Sequence, residues 1–358
     1  MKMTFRWYGS VNDPIPLKYI RQIPGVTGIM GMLDKPAGAD WPEEEVRALT
    51  EEVHAAGLDC EVIESVNVHE DIKLGGGRRD EYIDSYISTI RTLAKYGVRV
   101  IIYNFMPVID WFRTDLARLI PEDGSSSMYY DEKDLGDLTP TQIVRRTAAE
   151  SGGFTLSGWE PERLSLLEET LRRYEGVSEN DLRAHYKYFL DAVIPVCEEV
   201  NVRMACHPDD PAWPIFGLPR IAHSQSDFDR ILALHDSPAN TVCLCTGSLG
   251  SDPDNDIPSI IRHFGAMNRI GAMHVRNVKF LGHHHFRESA HLTECGDLDM
   301  YAVMKAIYDT CPDTWIRPDH GRMIWDEQGR PGYGLYDRAL GAAYLRGVWE
   351  GIERSESK

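Results

Sequence analysis

Four short apolar segments in the second half of the chain each end in a side chain that can bind a divalent cation. They read Ala205-Cys206-His207-Pro208, Cys243-Leu244-Cys245-Thr246-Gly247, Met273-His274-Val275-Arg276-Asn277 and Arg317-Pro318-Asp319-His320-Gly321. A His, a thiolate, a second His and a carboxylate around one ion leave positions open for substrate oxygens, as a Lewis-acid centre requires. One such residue alone means little, because a single His is more often a satisfied core residue and a single Cys an inert buried thiol. Four at the ends of successive segments mean more. Side chains two apart on an extended chain share a face at different depths, so Cys245, nearer the segment end, is a better ligand than Cys243. The run His283-His284-His285 is left out, since adjacent imidazoles cannot all converge and a solvated loop tract accounts for them.

These segments belong to a longer series. Runs rich in β-branched and apolar residues span 3–9, 25–32, 60–65, 98–104, 202–208, 241–247, 270–277 and 314–321. Helical spacing fills most of the gaps, over 43–56, 80–96, 181–200, 227–235, 257–268 and 297–308, and again over 335–352. Eight strands alternating with helices predict one (β/α)8 TIM barrel over residues 1–358, and no Gly-x-Gly-x-x-Gly follows any strand. In that fold the working residues sit at the C-terminal strand ends, where the four candidate ligands fall. Other strand ends are polar too. Trp7, Glu64, Asn104, Arg276, Asn277 and Arg317 are expected to bind a sugar-sized substrate, although Arg276 and Arg317 serve equally well to brace barrel-end ion pairs.

One connection is abnormal, because roughly seventy-five residues separate the fourth strand from the helix leading to the fifth, where barrel loops usually hold a few. This insertion after strand 4, residues 105–180, carries Phe105 to Arg113, a polar turn over 123–127 and a helix-like stretch from Glu160 to Tyr174. It reads as a lid or a subunit contact, with a decorated surface loop as the plain alternative.

The formal charge of −18 argues against nucleic acid and anionic membrane as partners, since both call for excess Lys and Arg. A metal-dependent nuclease on this fold is disfavoured for the same reason. The seven cysteines are scattered singly, which fits a reducing cytoplasm, and neither a signal peptide nor a membrane anchor is expected. An acidic surface and a long insertion suit a homo-oligomer, a dimer or larger.

Longer strings carry a family likeness. Trp7-Tyr8-Gly9, Glu64-Ser65 with Val68-His69-Glu70, and Tyr103-Asn104-Phe105-Met106-Pro107-Val108 with Asp110-Trp111 resemble D-mannonate dehydratase. The likeness continues through His207 to Pro211, Leu244 to Ser248, His274 to Asn277, Arg317 to Gly321 and Pro331-Gly332-Tyr333, and so covers nearly the whole chain. It implies a xylose-isomerase-like barrel, a small sugar-acid substrate, and loss of water from D-mannonate to give 2-keto-3-deoxy-D-gluconate in hexuronate breakdown. It places the family's metal ligands on His207, Cys245, His274 and Asp319, and its proposed catalytic groups on His320 and Tyr333. It also implies Mn2+, whereas a thiolate with two imidazoles by itself favours Fe2+ or Zn2+. A sugar isomerase or epimerase on the same barrel and a non-catalytic sugar-acid-binding protein are the alternatives. The first would lean on more carboxylate ligands, and the second would not explain four ligands at successive strand ends.

Overall fold

A computed structural model describes residues 1–154 and 161–357. Twelve strands occur among them: β1 (Lys2–Arg6), β2 (Val26–Gly31), β3 (Asp59–Glu64), β4 (Val100–Tyr103), β5 (Asp115–Leu119), β6 (Ser126–Asp131), β7 (Arg203–Cys206), β8 (Asn240–Cys245), β9 (Ile270–Val275), β10 (Val278–Gly282), β11 (His285–Glu288) and β12 (Trp315–Pro318). Eight of them close into a parallel barrel in the order β1-β12-β9-β8-β7-β4-β3-β2, the (β/α)8 architecture expected. Every residue of β8 and β9 is buried, as strands covered on both faces must be. Inside the barrel Met30, Val62, Val100, Ile102, Ala205, Cys243 and Ala272 pack into a small core of their own, which makes a filled floor beneath the strand ends.

Helices follow the strands, and side-chain caps set several of their starts. Ser178 accepts from Asp181 N and starts Glu179–Val200 two residues earlier than periodicity suggests. Asp299 accepts from Ala302 N and delays the next-to-last helix to Met300–Thr310. None of the helices among the described residues is long and apolar enough to cross a membrane.

The insertion after β4 is more than a loop. Its strands β5 and β6 join β10 and β11, which follow β9, in a four-stranded antiparallel sheet of order β10-β11-β6-β5. Four short strands, partly exposed and separated by turns, leave little periodic signal, so neither the insertion, expected as a lid or subunit contact, nor the stretch around His283 to His285, expected as a loop, reads as strand from sequence. Gly124, at φ 75°, turns the chain between β5 and β6. Part of the expected helix from Glu160 to Tyr174 lies outside the described residues, and the remainder forms Pro161–Ser165 and Leu167–Arg173. The three consecutive histidines lie at the β10–β11 turn, where His284 stacks on Trp213 at 4.4 Å.

Candidate active site and metal centre

At the C-terminal end of the barrel the chain forms a pocket that is partly open to solvent. Its wall includes Glu64, Asn104, His207, His274, Arg317, Asp319, His320 and Tyr333 from the expected set, together with Arg6, Tyr8, Asp110, Trp111 and Asp210. Donor atoms of His207, Cys245 and His274 lie within 4.8 Å of one another, close enough to share one ion. Asp319 stands beside them, its Oδ2 3.4 Å from Cys245 Sγ and 3.9 Å from His274 Nδ1.

The surroundings of these groups suit a metal. His207 Nδ1 lies 2.7 Å from the Pro208 carbonyl, an acceptor, so Nδ1 carries the proton and Nε2 keeps its lone pair for a ligand. Burial lowers the His207 pKa and keeps the ring neutral, the form that coordinates. Cys245 Sγ receives the Ser248 hydroxyl at 3.0 Å and the Ser248 N–H at 3.4 Å. The His207, Cys245 and His274 donor set therefore fits a divalent ion, and Asp319 stands beside it with each of its oxygens accepting from an arginine. Burial pushes the Asp319 pKa up, but Arg317, His320, His274 and Arg276 outweigh it and hold the group well below the usual carboxylate range.

Above this centre His320 Nε2 and Tyr333 Oη make a 2.8 Å hydrogen bond. Burial raises the Tyr333 pKa well above the ordinary phenol value, so the group is a protonated donor at neutral pH. Tyr8 packs edge-on against Tyr333 with ring centres 5.3 Å apart. Arg338 donates to the Tyr333 and Gly334 carbonyls at 2.6 and 2.8 Å and anchors the loop that presents the phenol.

Three residues expected to contact substrate lie elsewhere. Trp7 is packed in the core with its indole N–H on the Ile15 carbonyl at 3.1 Å, because alternation along β1 sends Arg6 and Tyr8 to the pocket and Trp7 away from it. Asn277 is consumed by backbone, donating to Leu292 O at 2.9 Å and accepting from Val278 N and Leu298 N. Arg276 is fully buried behind the wall, where it donates to Asp319 at 2.8 Å, to Asp210 at 3.0 Å and to Glu288. Arg317 does line the pocket, but Glu64 takes two of its N–H groups at 2.8 and 3.0 Å and Asp319 a third at 2.5 Å. Of the two uses weighed for these arginines, both make barrel-end ion pairs.

The sequence reading missed the acids and base that complete this network. Arg113, inside the insertion, pairs with Asp210 at 2.7 Å and Glu288 at 2.6 Å, all three buried. Asp210 sits just after the expected strand end at His207-Pro208, within the string from His207 to Pro211 that carries the family likeness. Arg113 comes from the insertion expected as a lid or subunit contact and Glu288 from a stretch with no expected element, and no local pattern marks their pairing.

A family model described as D-mannonate dehydratase (UxuA) matches residues 1–358. The chain belongs to the D-mannonate dehydratase family. It is 66% identical over 356 residues to the mannonate dehydratase of Lachnoclostridium phytofermentans, with 99% of each chain covered. It is 54% identical over 359 residues to that of Thermotoga maritima, covering 100% of this chain and 99% of the relative. The crystal structure of mannonate dehydratase from Streptococcus suis serotype 2 superposes with a TM-score of 0.90 at 43% identity, covering 100% of this chain and 96% of that one. Like the other members, this mannonate dehydratase is an enzyme, a carbon–oxygen lyase. A D-psicose 3-epimerase at 10% identity and TM-score 0.54 shares the barrel alone.

Proposed function

We propose that this enzyme removes water from D-mannonate to give 2-keto-3-deoxy-D-gluconate, with one divalent ion, Mn2+ by the family likeness, held by His207, Cys245, His274 and Asp319. The observation that carries the reading is the convergence of His207, Cys245 and His274 donor atoms within 4.8 Å of one another, with Asp319 beside them, next to the pocket that His320 and Tyr333 line. The ion would supply Lewis acidity, offsetting negative charge that develops beside the substrate carboxylate. Arg276 and Arg317, saturated by carboxylates, do not supply that charge.

The chain's own residues move the protons. The C2–H bond breaks, its electron pair forms the C2–C3 double bond, and the C3–O bond breaks as the hydroxyl leaves protonated as water. The resulting enol becomes the 2-keto acid by proton transfer to C3. His320 and Tyr333 share the base and acid roles through their common hydrogen bond. Asn104 and Glu64 line the pocket where polyol hydroxyls would lie, and Trp111, from the insertion, covers one side against water.

The reading extends to a cytoplasmic enzyme of hexuronate breakdown, supported by seven cysteines that all remain unpaired. It extends also to a homo-oligomer, supported by Trp325 and Leu119, which stand 69% and 61% exposed beside one groove. The deciding experiment is turnover of D-mannonate by metal-stripped protein with and without Mn2+, Fe2+ and Zn2+, with D-gluconate and D-fructose as controls. Metal-dependent keto-deoxy acid from mannonate alone is the expected result. Isomerised fructose, or no product with any metal, would overturn the reading.

A further inference from the structure

The accessory sheet ends at the catalytic histidine. Glu288, the last residue of β11, is fully buried, and Arg113 donates to its Oε1 at 2.6 and 3.2 Å while Arg276 donates to its Oε2. The same Oε1 lies 3.6 Å from Nδ1 of His320. That nitrogen is buried and has no hydrogen-bond partner, whereas the other ring nitrogen is engaged with Tyr333 at 2.8 Å. A polar atom left unmet inside a protein is costly, so it calls for an explanation. Hydrogen bonds in catalytic sites are often long before substrate arrives and tighten afterwards. A few tenths of an ångström would make this contact an ordinary one.

We infer that Glu288 is a positioning residue for the reaction, its Oε1 accepting the Nδ1 proton of His320. This rests on the acid and base roles given to His320 and Tyr333 above. With the proton on Nδ1, the lone pair is on Nε2, facing the Tyr333 hydroxyl. Nε2 can then take up a proton, and the imidazolium that forms keeps both N–H groups, one directed at a carboxylate that stays ionised throughout. Arg113 and Arg276 hold that carboxylate from two sides and so fix the line of approach. The insertion and the β10–β11 excursion leave the barrel after different strands, and their meeting at Glu288 makes the added sheet part of the catalytic apparatus.

The test reads the tautomer directly. Two-bond proton–nitrogen spectra of the full-length, Zn2+-loaded protein with isotope-labelled histidine, taken where the ring is neutral, report which nitrogen of His320 carries the proton. The spectrum of His320→Gln identifies the signal. The expected result is a proton on Nδ1 in the wild type and loss of that preference in Glu288→Gln. The Mn2+ enzyme carrying Glu288→Gln should lose about a hundredfold or more in kcat, with KM and bound metal unchanged. A wild-type proton on Nε2 would overturn the proposal whether or not the variant folds. So would a Glu288→Gln enzyme with near-normal kcat, or one with an unaltered His320 signal. Normal turnover by His320→Gln would instead sink the acid–base assignment, which keeps the two failures apart.

Discussion

His320 Nε2 and Tyr333 Oη lie 2.8 Å apart, with ring planes crossing at 67° and centroids 4.8 Å apart. The phenol stays protonated because it is buried, so the shared proton rests on oxygen until the imidazole or the substrate takes it. Tyr333→Phe removes that proton and little else. We expect kcat to fall by about 10²–10⁴ while KM and bound metal hold, as steady-state kinetics with metal analysis would read. A Phe variant with full kcat would remove Tyr333 from the chemistry.

Cys245 is the soft ligand of the proposed centre, and the Ser248 N–H and hydroxyl both lie within reach of its sulfur. Cys245→Ala should bind the ion more weakly by more than the roughly 10–100-fold typical of losing an outer-sphere partner. Titration of metal-stripped protein, followed calorimetrically, measures this. An undiminished affinity would mean that the thiol lies outside the coordination sphere.

Arg113 neutralises two buried carboxylates, Asp210 and Glu288. Arg113→Ala leaves both carboxylates with Arg276 as their one remaining arginine partner, and breaking a buried pair costs about 3–5 kcal/mol. Chemical denaturation of the variant beside wild type should show the loss. A shift below the resolution of the method would mean that water replaces the guanidinium without penalty.

The same network predicts an acid limb of stability. Burial pushes the Glu288 carboxyl up, but Arg276 and Arg113 outweigh it and hold the group at about 2, below its ordinary 4.5. Asp210 is likewise pulled below its ordinary 3.8 by Arg113 and Arg276 against the opposing effect of burial. A depressed folded-state value contributes stability that is complete above the unfolded pKa and is lost as pH falls through the folded one. Thermal unfolding midpoints should therefore decline from about pH 4.5 downward, and less steeply in Glu288→Gln. Identical slopes for both proteins would contradict this account.

Gly247 lets Arg276 pass beside the backbone, since a Cβ there would sit 2.5 Å from the guanidinium carbon and Nη1. Gly247→Ala must push Arg276 off Asp319, Asp210 or Glu288, at a cost of about 1–3 kcal/mol from overpacking, with weaker metal binding through the displaced Asp319. Calorimetric unfolding and metal titration on one sample test both parts.

The barrel was legible in the chain because its causes are local. Strands such as β8 and β9 bury both faces and so read as short apolar runs, and intervening helices have their own period and often their own cap. Strand ends then pointed to His207, Cys245, His274 and Asp319 as candidate ligands, since the fold puts functional side chains at one end of every strand, and the donor atoms of the first three lie within 4.8 Å of one another. Partner choice is another matter. Trp7 and Tyr8 are neighbours in sequence, yet one is core and the other pocket wall. Whether Arg276 and Arg317 would meet substrate or carboxylates depended on where Glu64, Asp210, Glu288 and Asp319 stood in space. Arg113 and Glu288 are 175 positions apart, on segments with no periodic signal of their own. Their pairing, and the approach of Glu288 to His320, exist only because two excursions from the barrel close into one sheet, and contacts made across that distance leave no trace in local pattern.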